Sequence, residues 1–438
     1  MKQAIRSNIL PLSLAAMSLG MTGNARATDD IAELKAMIRN LQYRVDQVEK
    51  ERASQNAKAV EATSDKKYVE AGDLPGSFKM PGTDTSIKIY GHATLHGTVD
   101  LREKPDYATV GWGGTLLAQP LNRPGNGQYG KTGTTYMTAR GSRFGFLTST
   151  PVEGLGAVTS KVEADFDGSD STVGGETQPM VRLREAYVRA GSFLVGQTYS
   201  TFTDLAAIPL LVEWNGTGVH PTIRQAMVRY SIPFDSSRID LAVENSVQRG
   251  TPNGDFDRNF DYVARYDQKT DWGHFSVRGV ALQYNNKTDN KWGSGFAASS
   301  RINLGANDSV VILAAGGQGI GRYMYNGVIQ GAAKNGNSLE LWKGVGGHVG
   351  YTHNWSPSFN STVAYAYTRF YENAVSSLPS TSDFAPNKKI NQAWLSSFYT
   401  PYKNFDLGLD YTWGKRQTFD GYEGVISRLT AMARYRFE

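Results

Sequence analysis

Cysteine is absent from the 438 residues, which removes disulfide frameworks, thiolate metal sites and c-type haem attachment. Long apolar runs are missing too: beyond the N-terminal segment, no stretch approaches the ~20 apolar residues of a membrane-spanning helix. Net charge is small. Lys2, Arg6 and Arg26 supply three of the formal +5, so the remaining chain carries +2, and the electrostatic footprint of a nucleic-acid binder is not there. What the chain does hold is 47 glycines, 23 tyrosines and 18 phenylalanines, a composition suited to many strands, tight turns and aromatic girdles.

The N-terminus reads as an address. Lys2 and Arg6 precede an apolar stretch from Ile9 to Leu19 that Pro11 interrupts, and Ala25-Arg26-Ala27 is a small-x-small cleavage site. Residues 1–27 therefore read as a signal peptide. A helix of a different kind follows over residues 28–62. Ile31, Leu34, Ile38, Leu41, Val45 and Val48 recur at alternating intervals of three and four, an a/d heptad narrower than the face of a globular helix, which favours a self-associating coiled coil. The pattern leaves the number of helices open. Residues 63–85, punctuated by Gly and Pro, read as a linker.

From residue 86 to residue 438 the pattern changes to strict alternation. Ile87, Ile89, Ala93, Leu95, Val99 and Leu101 alternate with Lys88, Tyr90, His92, Thr94, His96, Thr98 and Asp100. At the other end Leu429, Ala431, Ala433, Tyr435 and Phe437 alternate with Arg428, Thr430, Arg434 and Arg436, and Glu438 follows. A period of two gives one face to an apolar phase and the other to water. Each segment is close to the ~9–11 residues that a tilted strand needs to cross a bilayer.

The connections alternate as well. Short turns at 153–154, 190–192, 233–237, 270–273, 305–308, 355–358 and 401–404 interleave with longer segments at 103–133, 167–179, 200–223, 248–259, 285–291, 319–338, 371–388 and 415–422. Short turns on one side and long loops on the other mark an outer-membrane barrel, here with about 16 strands. The expected fold is thus all-β: a transmembrane antiparallel β-barrel, closed by pairing of the last strand with the first, behind a short N-terminal coiled-coil helix. Two positions break the phase. The parity that turns Phe144, Phe146, Val181 and Tyr187 outward also turns Arg140 and Glu185 outward, and a charge facing lipid costs ~2–4 kcal/mol at mid-depth. These two residues are expected in a protomer interface, or on the inner face if a bulge flips the phase.

Candidates for chemistry are few. His92 and His96 share a face, but four residues of strand separate them by about 13 Å, too far for one metal ion. The glycines at 316–319 and 344–350 do not form a phosphate cradle. No metal, cofactor or catalytic residue is expected. The third long connection stands apart because Leu205 to Trp214 is too apolar for an exposed loop. It is expected to fold against the inner wall as a constriction bearing Asp204, Glu213 and His220, the alternative being an external loop packed on its neighbours or on a partner protomer. Facing it, Arg182, Arg184, Arg229, Arg265 and Arg278 lie in the lumen phase. Arginine keeps its charge at any working pH, so such a set would attract anions.

Specific blocks carry a family resemblance. Gly76-Ser77-Phe78-Lys79-Met80-Pro81-Gly82 leads into Ser86-Ile87-Lys88-Ile89-Tyr90-Gly91, and Ser142-Arg143-Phe144-Gly145-Phe146 and Glu163-Ala164-Asp165-Phe166 come after it. Arg182-Leu183-Arg184-Glu185-Ala186-Tyr187 precedes Gly196-Gln197-Thr198-Tyr199-Ser200-Thr201-Phe202. Over the helix and about the first half of the barrel the chain resembles the DcaP-like outer-membrane porins. The resemblance implies a homotrimer in the bacterial outer membrane with its coiled coil in the periplasm. It also implies passive uptake of small organic anions, dicarboxylates among them; enzymatic activity is not expected, because the residues offer no catalytic constellation. A mainly structural protein, whose helix contacts the cell wall or a periplasmic partner, is the alternative.

Overall fold

The computed structural model describes residues 27–64, 69–102, 121–127, 129–130, 132–168, 171–173, 176–178, 180–213, 223–246, 259–286, 288–324, 331–376 and 385–437. The chain divides into two units, Met1–Val69 and Glu70–Glu438. Among the described residues of the first, one helix, α1, spans Ala27–Ser64. Ile38, Leu41, Val45 and Val48 of the heptad are all exposed, while the side chains of Ile31 and Leu34 lie outside the described residues.

The second unit is a closed antiparallel barrel. Its strands are β1 (Ser86–Arg102), β2 (Thr134–Thr138 and Arg143–Val152, two pieces of one wall position), β3 (Gly156–Asp165), β4 (Arg182–Ala190), β5 (Phe193–Tyr199), β6 (Arg224–Pro233), β7 (Ser237–Glu244) and β8 (Asp261–Thr270). They continue as β9 (Gly273–Asn285), β10 (Asn290–Leu304), β11 (Asp308–Gln318), β12 (Lys343–Ser356), β13 (Phe359–Phe370), β14 (Asn387–Tyr402), β15 (Phe405–Thr418) and β16 (Glu423–Phe437). Each strand pairs with its neighbours in chain order, and β16 pairs back onto β1 from Gly91↔Phe437 to Arg102↔Ser427, which gives a barrel of 16 strands. Beyond Phe437 the edge of β1 is covered by a two-residue strand, Phe78–Lys79, paired with Ser86 and Ile87. An unpaired edge would otherwise remain there.

Alternation decides which way each side chain points. On β14 Ile390, Gln392, Trp394, Ser396 and Phe398 are buried while Leu395 and Tyr399 are exposed. Exposed aromatics gather at the two rims: Phe193, Trp272, Trp355, Tyr402, Tyr435 and Phe437 near the short turns, Phe260, Tyr262, Trp292, Tyr371 and Trp413 near the long loops. This is the double girdle of a membrane barrel. A hollow on the outer face of β6–β10, bounded by Tyr230, Leu241, Tyr262 and Phe296, is almost wholly apolar and belongs to the bilayer side.

Three expectations are corrected. Glu185 points inward because a bulge sits opposite β3: Glu163 pairs with Glu185, but Ala164 pairs with Leu183, so Arg184 is the extra residue. One inserted residue flips every later side chain. Glu185 accepts hydrogen bonds from Lys161 Nζ at 2.7 Å and Thr198 Oγ1 at 2.6 Å, and Tyr187 shares its face. Arg140 sits in the break between the pieces of β2, buried, with Asp167 at 3.4 Å. The break satisfies its backbone through β1, since His92 Nε2 lies 3.0 Å from the Gly141 carbonyl and Thr94 N donates to Ser142 Oγ. The two charges thus have partners within the chain and call for no protomer interface. The third correction concerns loop length. The fifth and eighth long connections shrink to residues 286–289 and 419–422, because the β9–β10 and β15–β16 ladders continue outward to Asn285↔Asn290 and Gln417↔Glu423.

Candidate channel constriction

The third long connection, L3 (residues 200–223, described to 213), runs inside the barrel. It leaves β5 and turns at Asp204, which caps a 3-10 turn over Leu205–Ala207 by accepting from Ala206 N. The Asp204 carboxylate is the joint with the wall. It accepts from His274 Nε2 (3.0 Å) and Ser299 Oγ (2.5 Å), with Arg265 Nη2 at 3.4 Å and Arg278 Nη1 at 3.6 Å. Arg265 also donates to the Thr203 carbonyl, and the Arg278 guanidinium lies 5.8 Å from the centre of the Phe202 ring. At this depth an unpaired carboxylate would be strongly unfavourable, so four partners are what makes the buried charge tolerable.

Further along, Arg301 Nε donates to the Ala206 carbonyl and His348 Nε2 to the Ala207 carbonyl, both at 2.8 Å. Leu211 packs on Ala364, Ala366 and Trp394, and Val212 packs on Phe398 and Met432. Each burial is worth roughly 1.5–3 kcal/mol. The wall makes room for this apolar run. A Cβ at Gly350 would stand 2.8 Å from Pro209, and one at Gly408 would stand 2.6 Å from Val212. Val212 N donates to Ser396 Oγ at 2.8 Å, and Glu213 reaches Arg428 at 3.5 Å, itself paired with Asp100 at 2.8 Å. L3 therefore lines the inner wall from β8 round to β16. His220 lies outside the described residues.

A second loop folds inward, and no continuous apolar run in the sequence announces it. L6, residues 319–342, carries a one-turn helix (Gly321–Met324) and a hairpin of Ala332–Asn335 with Ser338–Leu341. Its Ile320, Tyr323, Met324, Ala332, Leu339 and Leu341 join Ala242, Val263, Val280, Leu282, Leu313 and Phe202 in one buried cluster. Arg322 pairs with Asp261, and Tyr323 hydrogen-bonds to Asp261 at 2.5 Å. The loop-side half of the inner face of β7–β11 is thus a packed apolar core under L6.

Among the described residues, what L3 and L6 leave uncovered is the arc from β1 to β6 together with the turn-side end of β16, and arginine concentrates there. Arg184 is fully buried between Glu163 (2.6 Å), Asp165 (2.7 Å) and the Tyr199 hydroxyl (2.8 Å). Arg182, a third exposed, pairs with Asp165 at 2.7 Å and Asp167 at 3.1 Å. Arg229 donates to Thr201 Oγ1 and to the Tyr199 carbonyl, both at 2.9 Å. The five candidate arginines thus fall into separate groups: Arg182 and Arg184 on the open arc, Arg229 at the root of L3, and Arg265 with Arg278 beneath Asp204. Sequence reading passed over Arg143, whose Nε is 3.5 Å from Glu163, and Arg224, which donates to the Tyr199 hydroxyl at 3.1 Å. The ion-pair network here joins Arg140, Arg143, Lys161, Arg182 and Arg184 to Glu163, Asp165, Asp167 and Glu185, five cations against four carboxylates. On the adjoining strands Arg434 and Arg436 share Asp406. Each group carries one more cation than acid. Among the described residues no cluster of histidines and carboxylates could hold a metal ion.

The profile of the DcaP outer membrane protein family matches residues 17–437. The chain belongs to the DcaP outer membrane protein family. Its closed barrel and this membership place it in the bacterial outer membrane as a channel of the porin type. Among solved structures the outer membrane channel DcaP of Acinetobacter baumannii is 25% identical with a TM-score of 0.70, covering 84% of this chain and 100% of that one. The in-vitro folded OmpT of Vibrio cholerae in its trimer form is 12% identical with a TM-score of 0.52, covering 81% and 99%. An anion-selective porin from Comamonas acidovorans is 11% identical with a TM-score of 0.52, covering 81% and 100%. The latter two speak for the fold alone. No curated protein matches the chain.

Proposed function

We propose that this DcaP-family channel passes small hydrophilic solutes by diffusion and prefers organic anions, dicarboxylates among them. The observation that carries the reading is the cation excess on the arc that L3 and L6 leave open. Arginine holds its charge across the working pH range, and a narrow low-dielectric passage focuses its field. A dicarboxylate can engage two cation-rich groups at once, the β3–β4 network and the Arg434–Arg436 pair. Reversal potentials across a KCl gradient test this: a sign reporting chloride over potassium is expected, and potassium preference overturns it. We further infer a homotrimer whose periplasmic coiled coil is built from Ile31, Leu34, Ile38, Leu41, Val45 and Val48, supported by the exposed heptad stripe of α1 and its a/d period. Outer-membrane lipid surrounds the barrel in this reading.

A further inference from the structure

Where L3 approaches the open arc, His92 and His96 of β1, Arg143 of β2 and Arg434 of β16 meet Leu211 and Val212 of L3, Phe398 of β14 and Met432 of β16 around a chamber of ≈ 180 Å³. Its lining is divided in kind. One side offers cationic donors: Nε and Nη2 of Arg434 are taken by Asp406 at 3.0 and 2.9 Å, whereas Nη1 has no hydrogen-bond partner among the described residues. Among the described residues Arg143 forms one ion pair, with Glu163 through Nε, at a distance too long for a hydrogen bond. Both of its Nη atoms are without a hydrogen-bond partner among the described residues. The other side is the apolar packing of Val212, Phe398 and Met432, all buried.

Size and polarity together select a ligand. Pockets for drug-sized molecules run to ~300–1,000 Å³, so a chamber of ≈ 180 Å³ suits a smaller guest. An inorganic anion would fill only its cationic end. A dicarboxylate lying wholly inside would press its second charge against Phe398 and Met432, where an unpaired charge is strongly disfavoured. We propose that the chamber is a binding subsite for organic monocarboxylates with a compact apolar body, such as a monocyclic aromatic acid. The carboxylate accepts hydrogen bonds from Arg143 and Arg434, and the ring lies against Leu211, Val212, Phe398 and Met432. The proposal rests on the anion-preferring reading above, since such an acid reaches the chamber along the cation-rich arc.

The test is current block in planar bilayers holding the full-length protein, with benzoate and acetate as blockers and a KCl reversal potential on every preparation. Benzoate is expected to interrupt the current at a concentration at least tenfold below that of acetate. Arg143→Gln and Arg434→Gln should each raise the benzoate requirement about tenfold, and Met432→Ala should narrow the ratio between the two acids. Equal block by both acids in a chloride-preferring channel overturns the subsite and leaves the general function standing. So does a benzoate requirement that none of the three variants changes. Potassium preference in the unaltered protein overturns the general function instead. The truncation of Met432 removes no charge partner, so it decides the matter even where an arginine variant fails to assemble.

Discussion

At the scale of single residues, burial sorts the arginines by what they do. Arg184 is fully enclosed by two carboxylates and a phenol, so its main contribution is to folding: Arg184→Gln leaves Glu163 to Lys161 and Arg143 and Asp165 to Arg182, and the lost charge-assisted hydrogen bonds should destabilise the barrel by about 1.5–3 kcal/mol, read as a lower temperature for the loss of heat-modifiable migration on gels. Arg182, by contrast, has a third of its side chain in solvent, and Arg182→Gln should move the KCl reversal potential toward potassium with little change in barrel stability. Asp204 presents a third case. Removing its carboxylate in Asp204→Ala leaves Arg265 and Arg278 without their shared counter-charge and frees the turn of L3, so single-channel conductance should rise and become noisier. Unchanged conductance would mean that the apolar run alone holds the loop. Inward orientation of Arg182 and Arg184 was legible in the sequence from a period of two, but pairing was not, because partners such as Asp204 and Ser299 stand 95 positions apart.

Elements differ in how plainly they announce themselves. The strands were readable because lipid on one side and protein or water on the other force alternation at every position. Inward folding of L3 was readable for a related reason, since Leu205 to Val212 is one contiguous apolar run. L6 escaped because Ile320, Tyr323, Met324, Ala332, Leu339 and Leu341 are spread among polar residues, so that only the hairpin and the one-turn helix bring them to one face. The bulge at Arg184 was illegible for a stricter reason: a single inserted residue leaves no trace in a repeat of two. Shortening L6 by removing its hairpin, residues 332–341, should uncover the apolar inner face of β9–β11, enlarge the conductance and make the remaining loop sensitive to added protease. For α1, Leu41→Asp puts a charge in the exposed stripe and should lower the temperature at which oligomers dissociate on native gels, while the conductance of each pore stays the same.

On the scale of the whole molecule, two inward loops place the open passage to one side of the barrel axis. Their described residues line the inner wall from β7 to β16, and among the described residues the arc around β1–β6 stays uncovered. Closure is a separate matter, settled at the seam: a Cβ at Gly91 would lie 2.3 Å from the Arg143 carbonyl and 2.6 Å from the Phe437 ring, so Gly91→Val should impair closure and lower the yield of folded barrel in detergent refolding. The joint at Asp204 has a genetic consequence. It gathers one residue from L3 with partners 61, 70 and 95 positions away on three different strands. A population selected for faster uptake of a bulky nutrient, or for easier passage of a toxic one, thus has several separate codons through which to reach the same phenotype. Losses at Asp204, Arg265, His274 and Ser299 should appear as alternatives to one another in independent lineages and seldom together, since the first to occur already loosens the loop.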